Sequence, residues 1–210
     1  MESVLIVDDH STIRRGLTSL IEECGWAVTI EANSLAQARA HWRTGIWSMG
    51  VFDLNLPDGD GLELLQEIRA TGCNKPILVH SLLPDSAVAS RVIKAGGNGF
   101  VNKGASPDEV ITALRKVSSG GHYVSPEYAE QMALTMAGGM APVPHERLSD
   151  REYKVMCLLA AGKTPTQVAE ALGCNVNTIS TYRARILKKL ELKNSMDIVR
   201  YALSRRLVTL

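Results

Sequence analysis

Five side chains in this 210-residue sequence have the right types and positions to do chemistry together. Asp8 and Asp9 end a run of apolar residues, SVLIVDD. Asp53 ends another, SMGVFD. Ser81 closes PILVHS, and Lys103 follows NGFVN. Each run is short and rich in Val, Ile and Leu, so each reads as a buried strand, and the polar residue marks its carboxyl end. Three carboxylates that meet at one edge repel one another unless a hard divalent cation with oxygen ligands sits among them, and Mg²⁺ fits that description. A carboxylate next to such a cation and an ammonium group is placed to attack a phosphoryl group, since both cations offset the charge that builds on the transferring oxygens. A hydroxyl at Ser81 can then hydrogen-bond a phosphoryl oxygen.

The elements that must position these groups can be read from the same sequence. Runs at 3–8, 26–31, 48–53, 76–81 and 98–102 alternate with segments of helical spacing. Ile13, Leu17, Leu20 and Ile21 share one face, as do Leu62, Leu65 and Ile68, and also Val110, Ile111, Leu114 and Val117. Ser34-x-x-Gln37 and Ser106-Pro-Asp-Glu109 look like capping boxes. Five strand–helix repeats predict an α/β, doubly wound, five-stranded parallel sheet, whose ligands bind beyond the strand carboxyl ends.

Simpler readings apply to neighbouring residues. Asp58 and Asp60 in LPDGDG read as helix caps in a loop. His10 reads as a surface or capping residue rather than a ligand. A calcium loop starting at Asp53 needs Gly at position 58 and Glu at 64, where the chain has Asp58 and Leu64.

Charge divides the chain. Residues 1–124 carry net −3, residues 125–145 carry −2 and residues 146–210 carry +6. The last part is basic enough to suggest nucleic acid as its partner. Between the two lies a segment in which Tyr128, Met132 and Met136 share a helical face before GGMAPVP breaks it, the composition of a short linker. Ser149-Asp-Arg-Glu152 and Thr164-Pro-Thr-Gln167 each open a helix. A turn at Gly173 leads to a basic helix over about 176–190, which Asn175 can cap. Ile179, Ile186, Leu187 and Leu190 face one way on it, and Arg183, Arg185, Lys188 and Lys189 supply four positive charges within seven residues. A last helix over 195–206 puts Met196, Val199, Ala202 and Leu203 on one face. This is helix-turn-helix patterning; a solvated basic bundle and a membrane-surface helix are the alternatives that pattern alone leaves open. The four cysteines are far apart and read as free thiols of a reducing cytoplasm. There is no apolar run of membrane-spanning length, and MESVLIVDDH lacks the basic start of a signal peptide.

VLIVDDH, VFDLNLPDGDGLEL, LVHS and AGGNGFVNKGAS resemble the receiver domain of two-component response regulators, over roughly residues 1–120. LSDREYKVMCLLAAGKTPTQVAEALGCNVNTISTYRARILKKL and the residues after it resemble the LuxR-type helix-turn-helix domain, within 146–210. Together they are similar to the NarL/FixJ class, with 121–145 as helical extension and linker. The resemblance implies that Asp53 accepts a phosphoryl group from a sensor histidine kinase. It implies Mg²⁺ held by Asp8, Asp9, Asp53 and the backbone carbonyl of Asn55, with Ser81, Phe100 and Lys103 as switch residues. For the second domain it implies double-stranded DNA contacted by residues among Thr164, Thr166, Asn177, Thr178, Ser180, Thr181, Arg183, Arg185, Lys188 and Lys189. It also implies a homodimer, on phosphorylation or on DNA, formed through Met196, Val199 and Leu203. Ser180 and Tyr182 stand where many members carry Lys and His, so base preference does not carry over from relatives. The chain is then a cytoplasmic transcription regulator and not an enzyme. A small phosphohydrolase also uses an Asp nucleophile and Mg²⁺, but it needs a general acid two residues after that Asp, where this chain has Asn55, and it has no use for a basic domain.

Overall fold

The computed structural model describes residues 3–26, 28–82, 85–137, 144–205 and 207–208. The chain forms two compact units, Met1–Gln131 and Met132–Leu210.

In the first unit β1 (Ser3–Val7), α1 (Ser11–Glu23), β2 (Val28–Ala32), α2 (Leu35–Trp42) and β3 (Met49–Phe52) follow in order. A two-residue hairpin, β4 (Asn55–Leu56) with β5 (Gly59–Asp60), leads into α3 (Gly61–Ala70). Then come β6 (Ile77–Ser81), α4 (Asp85–Lys94), β7 (Gly99–Asn102) and α5 (Pro107–Ser118). The main sheet is parallel throughout, in the order β2-β1-β3-β6-β7. Strand residues alternate between two buried faces. Val4, Ile6, Met49, Val51, Leu78 and Val101 pack with Leu17 and Ile21 of α1 and with Val110, Leu114 and Val117 of α5. Leu5, Phe52, Val79 and Phe100 alternate with them and are also buried, as a parallel sheet covered on both faces requires. The expected helical faces are the ones buried, with Leu17 and Ile21 deeper than Ile13 and Leu20.

The two expected capping boxes are only half formed. Ser34 and Ser106 each accept an N–H three residues on. Gln37 Oε1, however, accepts from Asn33 N–H one residue before the cap, and Glu109 Oε1 accepts from the Tyr123 hydroxyl. Tertiary neighbours compete for the second half of the motif.

α6 (Pro126–Met136) spans the boundary between the units, with Tyr128 buried and Met132 partly exposed. Most of GGMAPVP, residues 138–143, lies outside the described residues. The second unit continues with a 3₁₀ turn at Pro144–Arg147, then α7 (Asp150–Ala160), α8 (Pro165–Ala171), α9 (Val176–Lys189) and α10 (Ser195–Ser204). Complete capping boxes open α7, α8 and α10: Ser149 with Glu152, Thr164 with Gln167, and Asn194 with Asp197. Gly173 has φ +61 between α8 and α9, a conformation that suits glycine. Asn175 caps α9 through Asn177 N–H. Val155, Met156, Val168, Ile179, Ile186 and Ile198 are buried in this unit. Ala202 is buried while Met196 is 71% exposed, so the two do not share an environment. The buried stripe of α10 runs through Ile198 and Ala202, and Met196, Val199 and Leu203 lie toward its more open side.

Candidate functional site

Strand order reverses between β1 and β3, and the register Val7↔Phe52 sets the ends of these strands side by side. The next residues are Asp8 and Asp53. Their backbones extend the ladder, since Asp8 N–H donates to Ala32 and Asp53 N–H to Val7 at 2.7 Å. A crevice at such a reversal is where doubly wound sheets bind ligands. On the other side of β3, Lys103 N–H donates to the Ser81 carbonyl at 2.8 Å, which brings the lysine back over the same edge.

The side chains converge there. Lys103 Nζ lies 2.8 Å from Asp53 Oδ2 and 2.6 Å from Asp8 Oδ2. All three are almost fully buried, at 5% exposure for the Lys103 side chain, 3% for Asp53 and 1% for Asp8. Burial pushes the Asp53 carboxyl above its ordinary value; the Lys103 hydrogen bond and charge oppose this, and Asp8 adds to the rise. Burial lowers Lys103, but the two carboxylates outweigh it and hold the ammonium above its usual range. Asn55 N–H donates to Asp53 Oδ1 at 3.2 Å, which orients the carboxylate, and Asn55 itself is exposed. Ser81 and Phe100 are fully buried on β6 and β7.

Asp8, Asp9, His10 and Asp53 each bring one ligand atom to within 4.8 Å of the others. Asp8 and Asp53 are the buried members, and Asp9 and His10 form the exposed rim. Oxygen-rich donors at this spacing fit a hard divalent cation. His10 occupies the position before α1, but its side chain makes no cap hydrogen bond. Instead its Nδ1 lies 2.7 Å from Asp9 Oδ1 and 3.4 Å from Asp8 Oδ1.

Asp58 and Asp60 are caps. Asp60 accepts from Leu62 N–H at the start of α3. Asp58 accepts from Leu35 and Ala36 N–H, so it caps α2 from across the unit. Burial is the largest single influence on Asp58 and raises it, but these N–H groups together outweigh it and hold the carboxyl below its usual value. Gly61 is a requirement that sequence reasoning missed. A Cβ there would stand 1.9 Å from the Asp53 carbonyl oxygen, so only glycine lets α3 begin against the end of β3. His80, one residue before Ser81, is buried with its Nδ1 unpaired among the described residues. Burial and the nearby Lys103 lower its pKa to about 4.

In the second unit Thr164, Thr166, Asn177, Ser180, Thr181, Arg183, Arg185 and Lys188 are exposed, and Thr178 is half-buried. Arg183 reaches Ser195 at 3.4 Å. Lys189 differs from the other basic residues of α9. Its Nζ lies 2.6 Å from the carboxylate of Glu152, which is 4% exposed, so it ties α9 to the capping box of α7. Burial would raise the Glu152 carboxyl, but Lys189 and the Ser149 hydrogen bonds hold it below its usual value.

Comparison with known proteins covers both units. Residues 4–115 match the response regulator receiver domain family, and residues 146–202 match the bacterial regulatory proteins of the luxR family. Response regulator UvrY of Escherichia coli strain K12 is 28% identical over 205 residues, 97% of this chain and 94% of UvrY. Transcriptional regulatory protein UhpA of Salmonella typhimurium strain LT2 is 32% identical over 199 residues, 94% of this chain and 96% of UhpA. The structure of RcsB from Salmonella enterica serovar Typhimurium, bound to promoter P1flhDC in the presence of phosphomimetic BeF₃⁻, is 25% identical with a TM-score of 0.77, covering 97% of this chain and 98% of RcsB. This chain belongs to the response regulators that join a receiver domain to a luxR-family domain.

Proposed function

We propose that the chain is a transcription regulator switched by phosphorylation of Asp53, with residues 1–120 as receiver, 121–145 as helical extension and linker, and 146–210 as the DNA-binding domain. The observation that carries the reading is Lys103, whose ammonium sits within 2.8 Å of Asp53 and 2.6 Å of Asp8 beyond the strand ends.

Asp8, Asp9, Asp53 and the Asn55 carbonyl would hold Mg²⁺, whose charge would offset that of the transferring phosphoryl oxygens. An Asp53 oxygen attacks phosphorus in line. One O–P bond forms as the donor's bond to phosphorus breaks, and the electron pair leaves with the donor, a histidine nitrogen of the kinase. Lys103 then has a phosphoryl oxygen to bond in place of the carboxylate oxygen it loses. The Ser81 hydroxyl lies on β6, the strand beside β3, and the Phe100 ring lies on β7, one strand further out. Movement there would bias the receiver between two states and so favour dimerisation. The reaction ends at one covalently held phosphoryl group, so the chain signals and does not turn over substrate.

In the second domain we assign phosphate contacts to Arg183, Arg185 and Lys188, with Lys189 as a tether that Glu152 competes for. Asn177, Thr178, Ser180 and Thr181 lie in the first turns of α9, where base edges are read in helix-turn-helix modules, and we assign Thr164 and Thr166, at the start of α8, to the same DNA face. Met196, Val199 and Leu203 supply an apolar strip for a second copy on a two-fold DNA site. No helix among the described residues is long and apolar enough to cross a membrane, and we assign the protein to the cytoplasm, where its DNA and kinase partners meet it.

Intact mass after incubation with Mg²⁺ and acetyl phosphate tests the reading. Wild type should gain one phosphoryl group and Asp53→Ala none, and promoter-fragment binding should differ between the two forms of wild type. Uptake by Asp53→Ala would move the site elsewhere.

A further inference from the structure

We propose that His10 is a fourth side-chain donor of the acid pocket when the pocket holds a transition-metal dication such as Mn²⁺ or Co²⁺, through an imidazole bond that Mg²⁺ does not favour. The inference rests on reading the pocket as a cation site.

The argument begins with what His10 is not doing. It stands where a helix cap is expected, yet its side chain accepts no N–H from the first turn of α1. Its backbone is fixed by the site, because His10 N–H donates to Asp8 Oδ1 at 2.8 Å. That bond turns the chain so that the imidazole hangs over the pocket rim. Nδ1 reaches Asp9 Oδ1 at 2.7 Å, and Nδ1 together with one oxygen each from Asp8, Asp9 and Asp53 lies within a 4.8 Å span. Donors around one six-coordinate ion stand about 3 Å apart when adjacent and about 4.2 Å apart when opposite, for bonds near 2.1 Å. The set therefore closes on one cation with small side-chain movement, and the movement falls on the exposed members, His10 and Asp9. With the imidazole proton on Nε2, the Nδ1 lone pair is free for the cation, and the present Nδ1 to Asp9 contact gives way to two metal bonds.

Donor chemistry then sets the selectivity. Mg²⁺ is served by the carboxylates and by water, and it gains little from nitrogen. Affinity for a mixed nitrogen and oxygen site rises from Mn²⁺ through Co²⁺. Lys103 is held by the Oδ2 atoms of Asp8 and Asp53, whereas His10 Nδ1 contacts the Oδ1 atoms of Asp8 and Asp9, so the two side chains use different oxygens.

The test is electron spin-echo modulation on the full chain loaded with Mn²⁺, with His10→Ala and Asp8→Asn beside it. The expected result is a ¹⁴N coupling in wild type that disappears in His10→Ala. Mn²⁺ and Co²⁺ affinity should fall about tenfold in that variant, the size of effect seen when a partner at a metal site is removed, while Mg²⁺ affinity stays at the wild-type value. Mn²⁺ bound in wild type and lost in Asp8→Asn, but with no ¹⁴N coupling, would keep the pocket as a cation site and overturn the role of His10. A ¹⁴N coupling that survives His10→Ala would place the ion on another histidine and overturn it too. No Mn²⁺ bound to wild type would remove the cation site itself, and this inference with it.

Discussion

Replacing Lys103 by Met leaves Asp8 and Asp53 buried together with no cation between them. Both carboxylates are at most 3% exposed, and each loses a contact shorter than 3 Å. Removing one partner of a buried ion pair costs about 3–5 kcal/mol. The low end applies here, since either carboxylate can escape part of the cost by taking up a proton, so we expect about 3 kcal/mol at pH 7.5 in EDTA. For a unit of this size that is a melting point lower by about 10 °C. The assay is simple because Trp26, Trp42 and Trp47 are the only tryptophans in the sequence and all lie in the first unit. Their fluorescence follows its unfolding alone. Two controls fix the cause. Excess Mg²⁺ should restore most of the loss, since it binds the folded pocket and not the unfolded chain. Lowering the pH to 5 should also shrink it. Asp53 already has a folded-state pKa above its unfolded value, so the folded protein holds that proton more tightly and its stability falls as pH rises through the window above 3.8; removing Lys103 extends this window upward. A variant that melts within about 2 °C of wild type in EDTA at pH 7.5 would refute Lys103 as the cation that compensates the pocket.

His80 gives a pH signature of opposite sign. Its folded pKa of about 4 lies below the unfolded 6.5, so its contribution is whole above pH 6.5 and is lost as pH falls toward 4, up to about 3 kcal/mol. In urea titrations by tryptophan fluorescence, His80→Leu should flatten the stability curve across that window. Gly61→Ala drives a methyl group into the Asp53 carbonyl and should cost about 3 kcal/mol in the same assay, with slower phosphoryl uptake. The two C-terminal lysines of α9 should separate cleanly. Lys188→Ala should lower the slope of log affinity against log salt for DNA by about 1 with no change in melting, as expected for one lost phosphate contact. Lys189→Ala should instead destabilise the second unit by about 1 kcal/mol, measured by circular dichroism, because Glu152 loses its partner.

The sequence by itself determined the five strands of the main sheet, most of the helix starts and the four side chains Asp8, Asp9, Asp53 and Lys103 that meet at its edge. These depend on short-range rules: a parallel strand buried on both faces is an unbroken apolar run, its end is marked by the first polar residue, and a cap lies within three residues of what it caps. Asp8, Asp53 and Lys103 were legible as a group because a parallel sheet collects strand ends on one edge, whatever the details of packing. Tertiary structure alone decided the rest. Asp58 caps a helix 22 and 23 residues away, a pairing that no local window contains. Gly61 is required by the approach of another segment's carbonyl, and its own neighbours in sequence look like an ordinary turn. Lys189 has the same type and spacing as Lys188, yet only the packing of α7 against α9 makes one a tether and leaves the other in solvent. His10 read as a surface or capping residue; it is exposed but caps nothing, and its ring turns instead to the Asp9 carboxylate. In each case the deciding contact joins groups brought together by the fold, and its energy depends on burial and distance, which composition and periodicity do not encode.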